Sequence, residues 1–102
     1  MKVIDGSGEV HGKDADLLVE RTNQVLDLLK PAIVDELRSQ RVKWGVQNHT
    51  LPEWIMLIVE ELGEMTDAVL KGDWKSAVEE SIQVSALLVQ FIERIDREAD
   101  VG

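Results

Sequence analysis

Residues 50–93 read TLPEWIMLIVEELGEMTDAVLKGDWKSAVEESIQVSALLVQFIE, two long helical patterns interrupted only by Lys71-Gly72-Asp73. Thr50, Pro52 and Glu53 make a helix start. The threonine hydroxyl and the glutamate carboxylate can each take a free backbone N–H, and proline suits the first turn. The pattern runs to about Lys71, where Gly72 is a natural C-cap. Asp73 then caps a last helix predicted from Trp74 to about Glu98. In the helix after Thr50, the residues Ile55, Ile58, Leu62, Met65 and Val69 share one narrow stripe, the expected core face.

Upstream, residues Lys43 to His49 (KWGVQNH) have no helical period and hold a central glycine, so they are predicted to form a loop. Before them, Asp14 is a plausible cap for a helix from Ala15 to Leu29, with Leu17, Leu18, Val25, Leu28 and Leu29 as its apolar positions. Pro31 disfavours a helix interior but suits a first turn. A kink is expected there, or a second helix running to about Val42 with Ile33, Val34 and Leu37 inside. Residues 1–13, with Gly6, Gly8 and Gly12, are read as a flexible lead-in to a single helical domain over 14–102. The fold class expected is all-α, an antiparallel four-helix bundle-like arrangement with short connections.

Composition narrows the function classes. A chain of 102 residues holds one domain at most, and a lone monomer of that size is marginally stable. Aromatic residues are only 4% against 44% apolar overall, which favours aliphatic helix packing over a β-sandwich. There is no cysteine, so disulfides and thiolate metal sites are excluded. The longest apolar run, Ile55 to Val59, is far short of a membrane span, and the N-terminal residues lack a signal-peptide apolar region. A cytoplasmic location is expected. A net charge of −9 disfavours direct binding to nucleic-acid backbones.

The carboxylates have a pattern of their own. At about 100° per residue, Glu60, Glu61, Glu64 and Asp67 lie together, opposite the stripe that holds Ile55 and Leu62. Such a cluster is most simply a solvated face. Met56 and Leu57 share that side one turn earlier, however, and like charges three or four residues apart ask for a compensating cation. In the last helix, eight of the eleven residues from Ile82 to Ile92 are apolar and cover nearly the whole circumference. Glu80 stands in line with Val84, Leu87 and Phe91. A carboxylate heading an apolar stripe must be neutralised, paired or bound to a metal. Antiparallel packing can bring Glu61 and Glu64 opposite Glu80 and Gln83. These hard oxygen donors suit Mg²⁺, with Mn²⁺ a possible substitute. A di-iron site would want Glu-x-x-His pairs, and neither His11 nor His49 stands in that relation to a glutamate.

The run Glu60-Glu61-Leu62-Gly63-Glu64, followed by Glu80-Ser81-Ile82-Gln83, resembles the EExxE…ExxD signature of the MazG-like all-α nucleoside triphosphate pyrophosphohydrolases. Arg41 to His49 is similar to the loop that precedes the motif in one branch of that superfamily. The likeness spans about Glu36 to Glu93. It implies hydrolysis of a nucleoside triphosphate, deoxy or non-canonical, to the monophosphate and pyrophosphate, a house-cleaning reaction. It implies Glu61, Glu64 and Glu80 as magnesium ligands, with Gln83 at the place of the usual Asp and one negative charge fewer. Glu60 would be a further ligand or would orient the attacking water. It also implies a homodimer or homotetramer whose bundles are completed between subunits. The Lys- and Asn-bearing segment that closes the pocket in many relatives has no counterpart, so the pocket is expected to be more open or completed by a neighbour.

Metal carried in with the triphosphate would reconcile an acidic chain with a polyanionic substrate. Lys43, Arg94 and Arg97 are candidate phosphate contacts. Trp44 or Trp54 could stack on the base, and Gln47, Asn48 or His49 could read its edge. For Trp54 and His49, plain packing competes with those roles. The rival expectation is a non-catalytic acidic helical protein that kept the fold and binds a basic partner.

Overall fold

The computed structural model describes residues 12–101, with side chains to Glu98, and everything described is helix or connecting turn. Among the described residues there are three helices: α1 (Gly12–Trp44), α2 (Leu51–Leu70) and α3 (Trp74–Val101). The expectation of four is corrected at Pro31, which lies inside α1. Proline's fixed φ is compatible with a helix, and the bond it removes would run to Asp27. Both residues are exposed, so water can take the freed carbonyl. The helix starts two residues before the predicted cap at Asp14 and runs two past Val42, absorbing Lys43 and Trp44. The lead-in falls almost wholly outside the described residues.

Two compact units divide the chain, residues 1–31 and 32–102. In the first, Leu17, Leu18, Val19, Val25, Leu26 and Leu28 of α1 are 37–76% exposed, and Leu29 is half-buried. The second unit holds the core. It is an α2–α3 hairpin, with the Ala32–Trp44 part of α1 joined to α3 by side-chain bonds from Gln40 and Arg41.

The ends of α2 follow the chemistry read in the chain. Thr50 Oγ1 accepts from the backbone N–H of Glu53 at 3.3 Å, and Glu53 Oε1 accepts from that of Thr50 at 2.9 Å. These bonds hold the Glu53 carboxyl below its usual range. At the other end Gly72 has φ +70°, its N–H reaches Val69 O at 3.0 Å, and the N–H of Asp73 reaches Ala68 O at 2.9 Å. That bond pair is the Schellman closure, and it needs the left-handed conformation glycine adopts freely. Asp73 caps α3 through Ser76, whose hydroxyl and N–H both donate to it and depress its carboxyl. Gly45, at φ +72°, ends α1 in the same left-handed region.

The face of α2 that packs on α3 differs from the expected stripe. Trp54 and Ala68 are buried and Leu57, Ile58, Glu61 and Met65 half-buried, whereas Ile55, Leu62 and Val69 are 49%, 37% and 46% exposed. Opposite them α3 buries Ala77, Val84, Ala86 and Leu87, and α1 adds Leu37. Trp54, 1% exposed, dominates this core, and its truncation to alanine should cost about 3–5 kcal/mol. Ala68 and Ala77, at the turn end of the hairpin about 20 Å along α2 from Trp54, and Ala86 further along α3 are small enough for close helix approach. As a result Glu61 lies within the packed face.

Candidate metal centre

Glu61 and Glu64 are one turn apart on α2, and Glu80 stands near the start of α3, in the stretch that antiparallel packing sets opposite them. One carboxylate oxygen from each lies within 4.8 Å of the other two. Glu61 and Glu80 are half-buried and Glu64 is exposed. Val84 and Leu87, in line with Glu80, are buried, so the stripe seen in the sequence does lead into the core.

The electrostatics of the trio are unfavourable as it stands. Glu61 Oε2 and Glu80 Oε2 are buried without a hydrogen-bond partner. Among the described residues no lysine or arginine pairs with any of the three; Arg41 instead holds Glu93 and Arg94 holds Glu98. Desolvation, helped by hydrogen bonding to Glu80 and by the charges of Glu64 and Glu80, pushes the Glu61 carboxyl up to about 8. Crowded carboxylates cannot all ionise unaided, and a proton on Glu61 relieves the crowding.

A divalent cation would answer the same need. Octahedral Mg²⁺ has oxygen ligands at about 2.0–2.1 Å, which puts neighbouring ligand atoms about 3 Å apart and opposite ones about 4.2 Å apart. The three oxygens lie within 4.8 Å of one another, somewhat wider than that spacing. The donor set is all oxygen and carries three formal negative charges, so the residues fit a hard cation.

A cavity of about 410 Å³ reaches the trio through Glu61, the one member that lines it. Glu61 and Leu57 of α2 and Gln83 and Leu87 of α3 form one wall. Glu36, Ser39, Gln40, Lys43, Trp44 and Gln47 form the other. Lys43 Nζ sits 4.7 Å from the centre of the Trp44 ring. Trp44 is 58% exposed, so the ring has free surface.

The remaining candidates are elsewhere. Glu60 is exposed and outside the trio; Asn48 is exposed and lines neither this cavity nor its neighbour. His49 faces inward: its Nε2 is 3.1 Å from Gln47 Oε1 and its ring meets Trp54 edge-on, centres 4.7 Å apart. Trp54, at 1% exposure, packs in the core and has no free face for a base, which corrects the stacking role considered for it. Arg94 is tied to Glu98 at 2.9 Å. Arg97 lines a second cavity of about 310 Å³ with Arg41, Glu93 and Asp96, where charges of both signs compensate one another.

The sequence reading missed Glu36, Ser39 and Gln40 as cavity residues. Their signal was a polar stripe at positions 36, 40 and 43, one helical face leading into Trp44. Gln90 was also underrated. It is 8% exposed, and its Nε2 donates to Gln40 Oε1 at 3.0 Å and to Ala86 O at 3.2 Å.

No helix of the described residues is long and apolar enough to cross a membrane. Compared with models of known protein families, with curated proteins and with solved structures, the chain finds no match.

Proposed function

We propose that the protein is a magnesium-dependent nucleoside triphosphate pyrophosphohydrolase. One observation carries the reading: carboxylates from two helices converge beside a cavity with buried oxygens unpartnered. Glu61, Glu64 and Glu80 hold Mg²⁺, or Mn²⁺ in its place, and the amide oxygen of Gln83 adds a neutral donor or orients a water. The bound ion supplies activation of water and neutralisation of phosphate charge. Lys43 meets a phosphate, and Trp44 offers a ring for the base. Water attacks the α-phosphorus, the bond to the β-bridging oxygen breaks, and monophosphate and pyrophosphate leave. Mass balance requires no further reactant.

The same reading includes self-association. Ile55, Val59, Leu62, Thr66 and Val69 on α2 repeat at alternating steps of four and three. On α3, Trp74, Val78, Ser81, Ser85, Leu88, Ile92 and Ile95 do the same. All the large apolar members of both sets are 37–66% exposed. Two such stripes on one hairpin have the spacing of helix-bundle seams, and a patch this size seldom stays uncovered. Another copy of the chain covers it in a homodimer or homotetramer. Such an enzyme would clear deoxy or non-canonical nucleotides.

The test is a panel of canonical and modified triphosphates assayed with Mg²⁺ for pyrophosphate and for phosphate. Release of pyrophosphate from at least one is expected. Exposure of Glu60, Glu64 and Asp67 favours the rival, an acidic binding protein; silence across the panel, with no response to Mg²⁺, would decide for it.

A further inference from the structure

Three side chains from two helices form a fixed relay, of which Gln40 and Glu36 lie on the α1 wall of the cavity and Gln90 lies behind it, lining the neighbouring one. Gln90, 8% exposed on α3, donates to Gln40 Oε1 at 3.0 Å, and Gln40 Nε2 donates to Glu36 Oε1 at 3.0 Å. Gln90 is itself anchored on Ala86 O. The relay fixes which end of the Gln40 amide is oxygen and which nitrogen, because its oxygen is already committed to Gln90. What remains for the cavity is a second N–H on Gln40 and the second carboxylate oxygen of Glu36, which takes no hydrogen bond among the described residues. The cavity therefore offers an acceptor beside a donor.

Placement restricts what this pair can meet. Glu36 lines the same cavity as Glu61 and Lys43 but does not belong to the carboxylate trio. A carboxylate repels phosphate oxygens, so it must face the donor-bearing part of a nucleotide. An acceptor beside a donor complements a ring edge with an amino group beside an imine nitrogen, as in cytosine and adenine. Uracil and hypoxanthine present a carbonyl where those bases have the amine, and that carbonyl would stand against the Glu36 carboxylate.

We propose that Glu36 and Gln40 read the base, and that the substrate is a nucleoside triphosphate with an amino-bearing base of the cytosine or adenine kind. This rests on the nucleotide reading above and specifies its substrate. Gln90 acts as a positioning residue through Gln40.

Two matched pairs test it, dCTP against dUTP and dATP against dITP, each differing at that edge. Pyrophosphate release gives kcat/KM, and binding of the corresponding α,β-imido analogues with Mg²⁺ gives a second readout independent of turnover. The wild-type protein should favour the amino member of each pair by about 10- to 100-fold, the range of a two-bond base contact. Glu36→Gln, isosteric and able to donate as well as accept, should bring both ratios towards unity. Gln90→Leu should narrow the ratios less. Equal or reversed preference in the wild type would overturn the inference, as would ratios unchanged in Glu36→Gln. A change confined to the ribo-against-deoxy ratio would also overturn it, placing Glu36 at the sugar. If the analogues bind with the expected preference but no pyrophosphate appears, the catalytic reading fails and the base contact stands; if none binds, both fail.

Discussion

The two faces of the α2–α3 hairpin have exchanged their usual contents. The inner face, where helices pack, carries Glu61 and Glu80 with unpartnered buried oxygens. The outer face carries Ile55, Val59, Leu62, Val78, Leu88 and Ile92, all more than a third exposed. Burying carboxylates while exposing aliphatic side chains is unfavourable on both counts for an isolated chain. The same inversion makes sense if each face is finished by something else. The inner face calls for a cation, and the outer face calls for apolar surface. Trp54 at one end of the hairpin, and Ala68 and Ala77 at the other, keep it together in the meantime.

The largest expected effects come from the inner face. Glu61→Gln and Glu80→Gln should each lower pyrophosphate release by at least about a thousandfold, since a ligand to the ion supplies several kcal/mol and each 1.36 kcal/mol is tenfold. Helix content, followed by circular dichroism, should be unchanged. Full activity in both variants would remove the assignment. On the outer face, Leu62→Glu or Ile92→Glu should convert the assembly to monomers, visible by light scattering. A wild-type protein already monomeric at high concentration would break that side of the comparison.

A subtler effect follows from protonation. The folded-state Glu61 carboxyl is raised to about 8 from an ordinary 4.5, so between those values the folded state holds a proton that the unfolded state has lost. Stability of the metal-free protein should therefore fall as pH rises from about 4.5 to 8 and level off above. Mg²⁺ competes with that proton, so its stabilising shift in melting temperature should be larger at pH 8 than at pH 5. An equal Mg²⁺ shift at both would contradict a shared site. Smallest are the helix ends: Thr50→Ala should lower stability by about 1 kcal/mol with little effect on the site, measured by urea titration.

The helix ends were legible because they depend on local chemistry: Thr50 with Glu53, Gly72, and Asp73 with Ser76 all act within a few residues. The association of Glu61 and Glu64 with Glu80 was legible too, through the apolar company of Glu80 along Val84 and Leu87. Pro31 left a kink and a new helix both open, and the new helix is excluded because a proline on an exposed turn frees a carbonyl that water can take. The inner face of α2 was misjudged for a different reason. That helix has two apolar stripes, one through Trp54, Leu57, Ile58, Met65 and Ala68 and one through Ile55, Val59, Leu62 and Val69. Periodicity alone does not say which one meets α3. Trp54 and Ala68, a large side chain and a small one that fit the alanines of α3, decide it. The pairing of Gln40 with Gln90 was not legible, since it joins positions fifty residues apart.

Binding of Mn²⁺, followed by its electron paramagnetic resonance signal, tests the shared ion most directly. The wild-type protein should take up Mn²⁺ saturably, and Glu61→Gln on α2 and Glu80→Gln on α3 should weaken it alike. Unaltered Mn²⁺ affinity in either variant would mean that the two helices do not hold a common cation.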